Sequence, residues 1–496
     1  MRPAAARCWL PSTALALVSA LALAACADAP VHVPPQTPTP SDWGQWRSGD
    51  DALHPPVATD QAWPLAWWTV LGDPVLDDLE RRAVTASPDL RTAALRFAQA
   101  RTQRGAVEAQ AGPQLRANAG VVRQRQSEFG AGTRLLDAIG GDRDRLAGVL
   151  GEPFTLYQAG FDASWELDLW GRVSQAVDAA NADVAVQAAL LGLARLSLAS
   201  DVARHYLDFR AAQQQSQLLR DDIAAQQQRI ELLDARVRAG VLDALALEPL
   251  RADLAASQGQ GPALLVQQAA AAGQVELLLG ERPGALAALL ATPAPDAHAM
   301  LPELALGLPS TVAQRRPDIQ AAEARLRRAT ASIGVAKADL YPTVRLGAKF
   351  GTESYLGSEF ASWGSRTWSI GPTLDLPLFD RGRRVRMVQL RELEQQEAAV
   401  AYQRTVLQAW HEIDDALNAC AAERQQWLQL QDRERSIRQV HALATARYRS
   451  GTVDYTVVLE SQRGLLQAGR ERIASEDRLK LRFVALNKAI AAVPAD

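Results

Sequence analysis

The chain is written twice, and this duplication limits the folds open to it more than any other feature. Ser87-Pro88-Asp89-Leu90 returns as Arg316-Pro317-Asp318-Ile319, and Gly112-Pro113-Gln114-Leu115 returns at the same offset as Tyr341-Pro342-Thr343-Val344. Trp170-Gly171-Arg172 is echoed by Phe379, Gly382 and Arg383. The run Ala235-Arg236-Val237-Arg238-Ala239-Gly240-Val241-Leu242-Asp243 comes back as Ala446-Arg447-Tyr448-Arg449-Ser450-Gly451-Thr452-Val453-Asp454. The offset shortens along the chain because one loop is longer in the first copy. Each copy reads as helix, strand, loop, strand, long helix, turn, helix.

The strands alternate apolar and polar residues. Val344, Leu346, Ala348 and Phe350 interleave with Thr343, Arg345, Gly347 and Lys349, and Trp368, Ile370, Pro372, Leu374 and Leu376 with Ser369, Gly371, Thr373 and Asp375. In the first copy Tyr157, Phe161 and Trp165 alternate with Gln158, Asp162 and Glu166, and Leu115 to Val121 form the fourth strand. The four runs are of roughly the length that a transmembrane strand needs, about 9–11 residues. A soluble sheet with one wet face shows the same alternation. Against that, the polar sides carry Arg345, Lys349, Asp375, Glu166 and Asp168, as a water-filled lumen does, and the aromatic residues lie opposite. Four strands cannot close a barrel, and an open edge in lipid leaves backbone groups unsatisfied, so such a chain must oligomerise. Three copies giving twelve strands make one closed ring; the pattern alone does not choose three over two or four.

The helices are equally constrained. No proline falls between Pro153 and Pro249 or between Pro377 and Pro494. Each copy therefore accommodates one helix from its Gly-Arg turn, at Gly171 or Gly382, to Gly240 or Gly451, about 70 residues and on the order of 100 Å at 1.5 Å per residue. Returning helices over Leu247 to Leu279 and Val457 to Ile490 complete two hairpins.

Composition excludes other classes. Among 496 residues, 53 Lys plus Arg face 56 Asp plus Glu, a net charge of −3 that argues against a nucleic-acid binder. Only 6% are aromatic and alanine dominates the apolar share, which suits long, closely packed helices. Cys8, Cys26 and Cys420 offer neither a disulfide framework nor paired zinc ligands, and Cys420 reads as a small apolar residue on the second long helix. The nearest approach to a metalloprotease box, His411-Glu412-Ile413-Asp414-Asp415, lacks its second His. No phosphate loop or nucleophile elbow appears, so no enzyme activity, metal or cofactor is expected.

The amino terminus is an address. Arg2 and Arg7 precede an apolar stretch from Ala14 to Ala25, too short to span a bilayer, so residues 1–25 read as a signal peptide. Leu23-Ala24-Ala25-Cys26 resembles the lipobox of bacterial lipoproteins, in which the cysteine thiol carries diacylglycerol. Residues 26–66 then form a lipid-anchored, Pro-rich tether.

In order and in double occurrence, these motifs resemble the TolC-like outer-membrane efflux factors, in particular the lipid-anchored NodT type. The resemblance also rests on Trp67-Trp68, Asp73-Pro74-Val75-Leu76, and the Trp410, Glu412, Ile413 and Ala416-Leu417 segment. It implies a mainly α fold with transmembrane β: two tandem repeats that, as a homotrimer, form a twelve-stranded outer-membrane β-barrel continued by a twelve-helix periplasmic α-barrel. The repeats span 67–285 and 316–490, separated by a Pro-rich linker, 286–315, and followed by a tail, 491–496. The linker around Pro293 to Pro309, the N-terminal region and the tail are expected to build an equatorial belt.

The implied function is a passive exit duct for small molecules, docked on a periplasmic adaptor and an inner-membrane RND-type transporter. Its docking tips are expected at Arg238, Gly240 and Asp243 and at Arg449, Gly451 and Asp454. An aperture of acidic residues is expected at Glu460, with Glu248 its counterpart; Val457 stands where some relatives carry a second acid. The exit channel of a protein-secretion system and a non-channel periplasmic scaffold lipoprotein are the alternatives. The long first loop, Gln126 to Pro153, reads as extracellular, with a flexible, polar Gly140-Gly141-Asp142-Arg143 stretch.

Overall fold

The computed structural model describes residues 31–33, 35, 40–43, 45–54, 66–130, 142–241, 243–293 and 309–491. Cys26, Gly140, Gly141, most of the Pro293 to Pro309 linker and most of the tail lie outside them. The principal elements are α1 (Pro74–Ala86), α2 (Pro88–Glu108), β1 (Gln114–Gln124), α3 (Arg143–Leu150), β2 (Phe154–Leu167), α4 (Arg172–Arg238) and α5 (Glu248–Leu278). There follow α6 (Pro309–Arg315), α7 (Pro317–Ala338), β3 (Thr343–Ser354), β4 (Arg366–Asp375), α8 (Arg383–Arg449) and α9 (Tyr455–Ala489). The expected long helices are both present, and α4 and α8 have the same length, 67 residues. The chain divides into two compact units.

The first unit, residues 100–184 and 325–398, holds one antiparallel sheet in the order β1-β2-β3-β4. The register aligns Ala117 with Phe161, Phe161 with Phe350 and Phe350 with Trp368, so one face is a continuous apolar surface. Phe161, Phe350 and Trp368 remain 54%, 58% and 70% exposed, a bare face that water does not favour. The other face pairs its charges across strands: Arg345 with Glu166 at 3.5 Å and Lys349 with Asp162 at 3.7 Å. The two copies meet where the Trp170 ring stacks on Tyr341, centroids 4.8 Å apart, while its Nε1 donates to the Pro342 carbonyl at 2.6 Å. Asp168 caps α4 by accepting from the Val173 and Ser174 amides, and Asp380 does the same for α8 at Gly382 and Arg384.

Part of the long first loop departs from the flexible reading. Residues Arg143–Leu150 are helical, Asp142 accepts from the Arg145 amide, and the Arg143 guanidinium lies 5.2 Å from the Phe129 ring centroid. An eight-residue helix of weak periodicity gave no clear signal in the sequence.

The second unit, residues 34–99, 185–324 and 399–496, carries the hydrophobic core. Trp67, Leu76, Leu79, Tyr206, Ile413 and Phe483 are almost fully buried there, with Trp67 set edge-on to Phe483. The family-type motifs converge on this core as structural parts. Asp73 accepts from the Val75 amide at the start of α1, whose first residue, Pro74, needs no donor. Its other oxygen accepts from the Tyr206 hydroxyl, which in turn accepts from Arg210 Nε. Arg316 is 6% exposed, reaching Asp318, Glu412 and the Ala489 carbonyl at 2.6–2.7 Å. The N-terminal segment joins the core through Trp43 and Trp46, each edge-on to Trp410, and through Arg47 and Ser48, which donate to Asp414. Cys420 is buried against Trp427 and Leu479, as expected of an apolar filler.

With the apolar sheet face in lipid, Phe161→Arg is expected to destabilise the folded protein by about 2–4 kcal/mol near the bilayer midplane. Urea-induced unfolding in vesicles reads this directly; a change below about 1 kcal/mol is incompatible with a lipid-facing position.

Candidate functional site

The site residues expected from the sequence lie at the hairpin ends of α4/α5 and α8/α9, within the second unit. Each long helix stops at a left-handed glycine, Gly240 with φ 73° and Gly451 with φ 72°. The Gly240 amide donates to Val237 O and the Val241 amide to Arg236 O; Gly451 and Thr452 repeat this toward Tyr448 and Arg447, all at 3.0 Å. These are paired Schellman closures, which satisfy the last helical carbonyls and need a residue free of Cβ strain. The restarts differ. Asp243 accepts from the Leu245 amide at 2.8 Å, whereas Asp454 stands at the N-cap of α9 without a side-chain cap bond. Arg238 pairs with Asp234 at 3.0 Å, while Arg449 makes no ion pair among the described residues.

Several contacts that sequence reasoning missed tie the two hairpins together. Arg236 Nη1 donates to the Tyr448 hydroxyl at 2.8 Å, and Tyr448 sits edge-on to Tyr455 at 5.2 Å. Gln462 donates to Asp222 at 3.1 Å, and Arg463 pairs with Asp253. Between these ties lies a cavity of about 230 Å³ lined by Asp222, Gln226, Arg229, Asp253, Gln462 and Arg470, among others. The repeated Arg-x-Arg-x-Gly pattern marks the turns, but contacts between copies so distant in sequence leave no periodic trace.

Glu460 and Glu248 are both exposed but are not equivalent. Glu248 opens α5 and accepts from Arg251 at 2.9 Å, whereas Glu460 has no ion pair among the described residues. Farther along α9, burial first and the Asp208 carboxylate second push Asp477 up to about 7. Burial raises Glu80 well above the carboxylate range in the core.

The box-like residues of α8 are occupied structurally. Glu412 accepts from Arg316 at 2.7 Å, and Asp414 holds Arg47 and Ser48. Among the described residues no three His, Cys, Asp or Glu converge as metal ligands.

A sheet with one apolar and one charged face, in a chain that also carries two helical hairpins of equal long arms, defines a subunit of an outer-membrane channel. The chain belongs to the outer membrane efflux protein family, whose model matches residues 79–281 and 308–492. It is 33% identical to the outer membrane protein OprJ of Pseudomonas aeruginosa over 90% of this chain and 89% of that one. It is also 33% identical to the pyoverdine export outer membrane protein OpmQ of Pseudomonas putida, over 97% of each. A solved membrane protein from Pseudomonas aeruginosa, 30% identical, matches with a TM-score of 0.80 over 94% of this chain and 100% of its own. The outer-membrane channel OprN matches with 0.77 at 27% identity, over 93% and 99%.

The fold class is therefore mainly α with transmembrane β, two tandem repeats of the kind a homotrimer completes as a twelve-stranded β-barrel and a twelve-helix α-barrel. The protein is an outer-membrane efflux channel, and its family is one of transport ducts.

Asp477 gives a pH test. Its carboxyl binds a proton more tightly folded than unfolded, where the ordinary value is about 3.9. The stability it contributes is complete below about pH 4 and is lost as pH rises through about 7. Asp477→Asn is expected to flatten the fall in melting temperature between pH 5 and 8 and to raise it at pH 8; parallel pH profiles for both proteins contradict the assignment.

Proposed function

We propose that three copies form a passive duct through which a tripartite pump, energised by an inner-membrane RND-type transporter, exports small molecules. The observation that carries this reading is the open four-stranded sheet, with its bare apolar face and cross-paired charged face. Such a sheet in lipid needs other copies to satisfy β1 and β4, and its charged face then lines water. The relatives named for pyoverdine export, toluene efflux and cation efflux support small molecules as cargo. A wide, water-filled duct selects little, so the inner-membrane partner makes the choice of substrate.

In this reading the exposed turns at Arg238, Gly240 and Asp243 and at Arg449, Gly451 and Asp454 meet a periplasmic adaptor. Their Schellman closures present rigid, shape-defined ends on which an adaptor hairpin can seat. Cys26 carries the lipid that holds the N-terminal segment at the outer membrane. Glu460, which makes no ion pair among the described residues, contributes three carboxylates to a ring at the periplasmic aperture, attracting cations and repelling anions; Glu248, partly neutralised by Arg251, contributes less.

Two measurements test these assignments. In planar bilayers under a salt gradient, Glu460→Gln is expected to shift the reversal potential toward lower cation preference, and Glu248→Gln to shift it less. An unchanged reversal potential for Glu460→Gln removes it from the aperture. Cys26→Ser is expected to abolish metabolic labelling by an alkyne fatty acid; persistent labelling places the lipid elsewhere.

A further inference from the structure

On the polar face of the sheet two charges make no ion pair among the described residues. In the middle strands Glu166 holds Arg345 and Arg172, Asp162 holds Lys349 and Asn118, and Glu353 accepts from Gln158. On the edge strands, the only charges facing that side are Arg116 of β1 and Asp375 of β4. Neither makes an ion pair among the described residues; Asp162, which faces Arg116 in the ladder, is already engaged by Asn118 and Lys349. They carry opposite signs on opposite free edges.

We propose that β4 of one copy pairs antiparallel with β1 of the next, in the register set by the internal duplication, bringing Asp375 beside Arg116 of the next copy. This rests on the homotrimer of the proposed function. The duplication supplies the register because the two hairpins match. Gln114 faces Ser164 in the first, and the equivalent Thr343 faces Asp375 in the second. The shift from Ser164 to Asp375 is the one that carries Gly171 to Gly382, Arg172 to Arg383 and Gly240 to Gly451. One repeat therefore behaves as a copy of the other from its first strand to its hairpin tip.

Within the chain the two repeats join through β2 and β3, where Ser164 faces Gly347, Ala163 faces Ala348 and Trp165 faces Leu346. Transferring each strand to its equivalent places Asp375 opposite Asn118, Leu374 opposite Ala119 and Leu376 opposite Ala117 of the next copy. Arg116 is then the diagonal neighbour of Asp375 on the polar face, roughly 7–8 Å away across the backbone and within reach of a long side chain. From Ala117 to Val121 the transferred register keeps apolar residues against apolar residues, with Pro372 opposite Val121; beyond them Arg123 falls opposite Ile370 toward the strand end. A slip of one residue turns Asp375 toward the lipid side, which the pleat forbids at a buried face.

The test is disulfide mapping on the full-length, membrane-extracted protein. Leu374→Cys with Ala119→Cys is expected to give covalent multimers under mild oxidation, several-fold more than Leu374→Cys with Ala117→Cys or with Val121→Cys. These substitutions are small and lie on the lipid side, so the fold is retained. Separately, Arg116→Asp and Asp375→Arg are each expected to lower the temperature at which the unboiled multimer dissociates, and the double exchange to restore it. Dominant cross-linking through Ala117 or Val121 overturns the register while leaving the trimer standing. Single charge variants as heat-resistant as the original, with no rescue in the pair, overturn the ion pair. A monomeric original protein in mild detergent removes the trimer itself.

Discussion

Hydrogen bonding at the two outer edges of the sheet is the constraint on which the rest of the structure depends. A strand edge in hydrocarbon has no water to satisfy its amides and carbonyls, and four strands cannot curl far enough to pair their own ends. The remedy available to a chain with an internal duplication is to repeat the same junction between copies that it already uses between its halves. The apolar face, the cross-strand charges and the Trp170 stack on Tyr341 are all features of that one junction. The same economy extends into the helices, where two arms of 67 residues end in the same closure.

The second unit solves a different problem, that of holding long, slightly amphipathic helices in one arrangement. It does so with a core in which aromatic rings and buried charges are interlocked. Arg316 links the entry of the second repeat to Glu412 on α8 and to the end of α9, while Arg210 and Tyr206 hold the Asp73 cap at the start of α1. Removing one member of such a set leaves its partner charged or polar in the interior, which is costlier than losing an apolar contact of the same size. This explains why the motifs around Asp73 and Arg316 fall at the core.

Much of the fold was legible because it rests on local periodicity. Strict alternation marked the four strands and assigned their faces, and Gly171, Gly240, Gly382 and Gly451 marked the ends of the long helices to within a residue or two. Contacts between sequence-distant side chains were not legible. Arg236 meeting Tyr448, Gln462 meeting Asp222 and Asp477 facing Asp208 depend on how the hairpins pack, and no spacing rule encodes that. Glu412 shows the same limit from another side: the missing second His already spoke against a metal box at His411, but the structural partner of Glu412, Arg316, was not legible. The contrast between Glu248 and Glu460 likewise depends on Arg251, one turn away on α5.

The ladder between β2 and β3 also dictates an order of assembly. β1 with β2 and β3 with β4 are local hairpins, but Tyr157 must find Ser354 and Leu167 must find Val344 across an intervening helical hairpin. Closing so long a loop is entropically slow, and until it closes each hairpin carries two exposed edges instead of one. The first half of the chain therefore waits, with unpaired strand edges, for the second half to arrive. A newly exported copy depends on being shielded from aggregation during that interval.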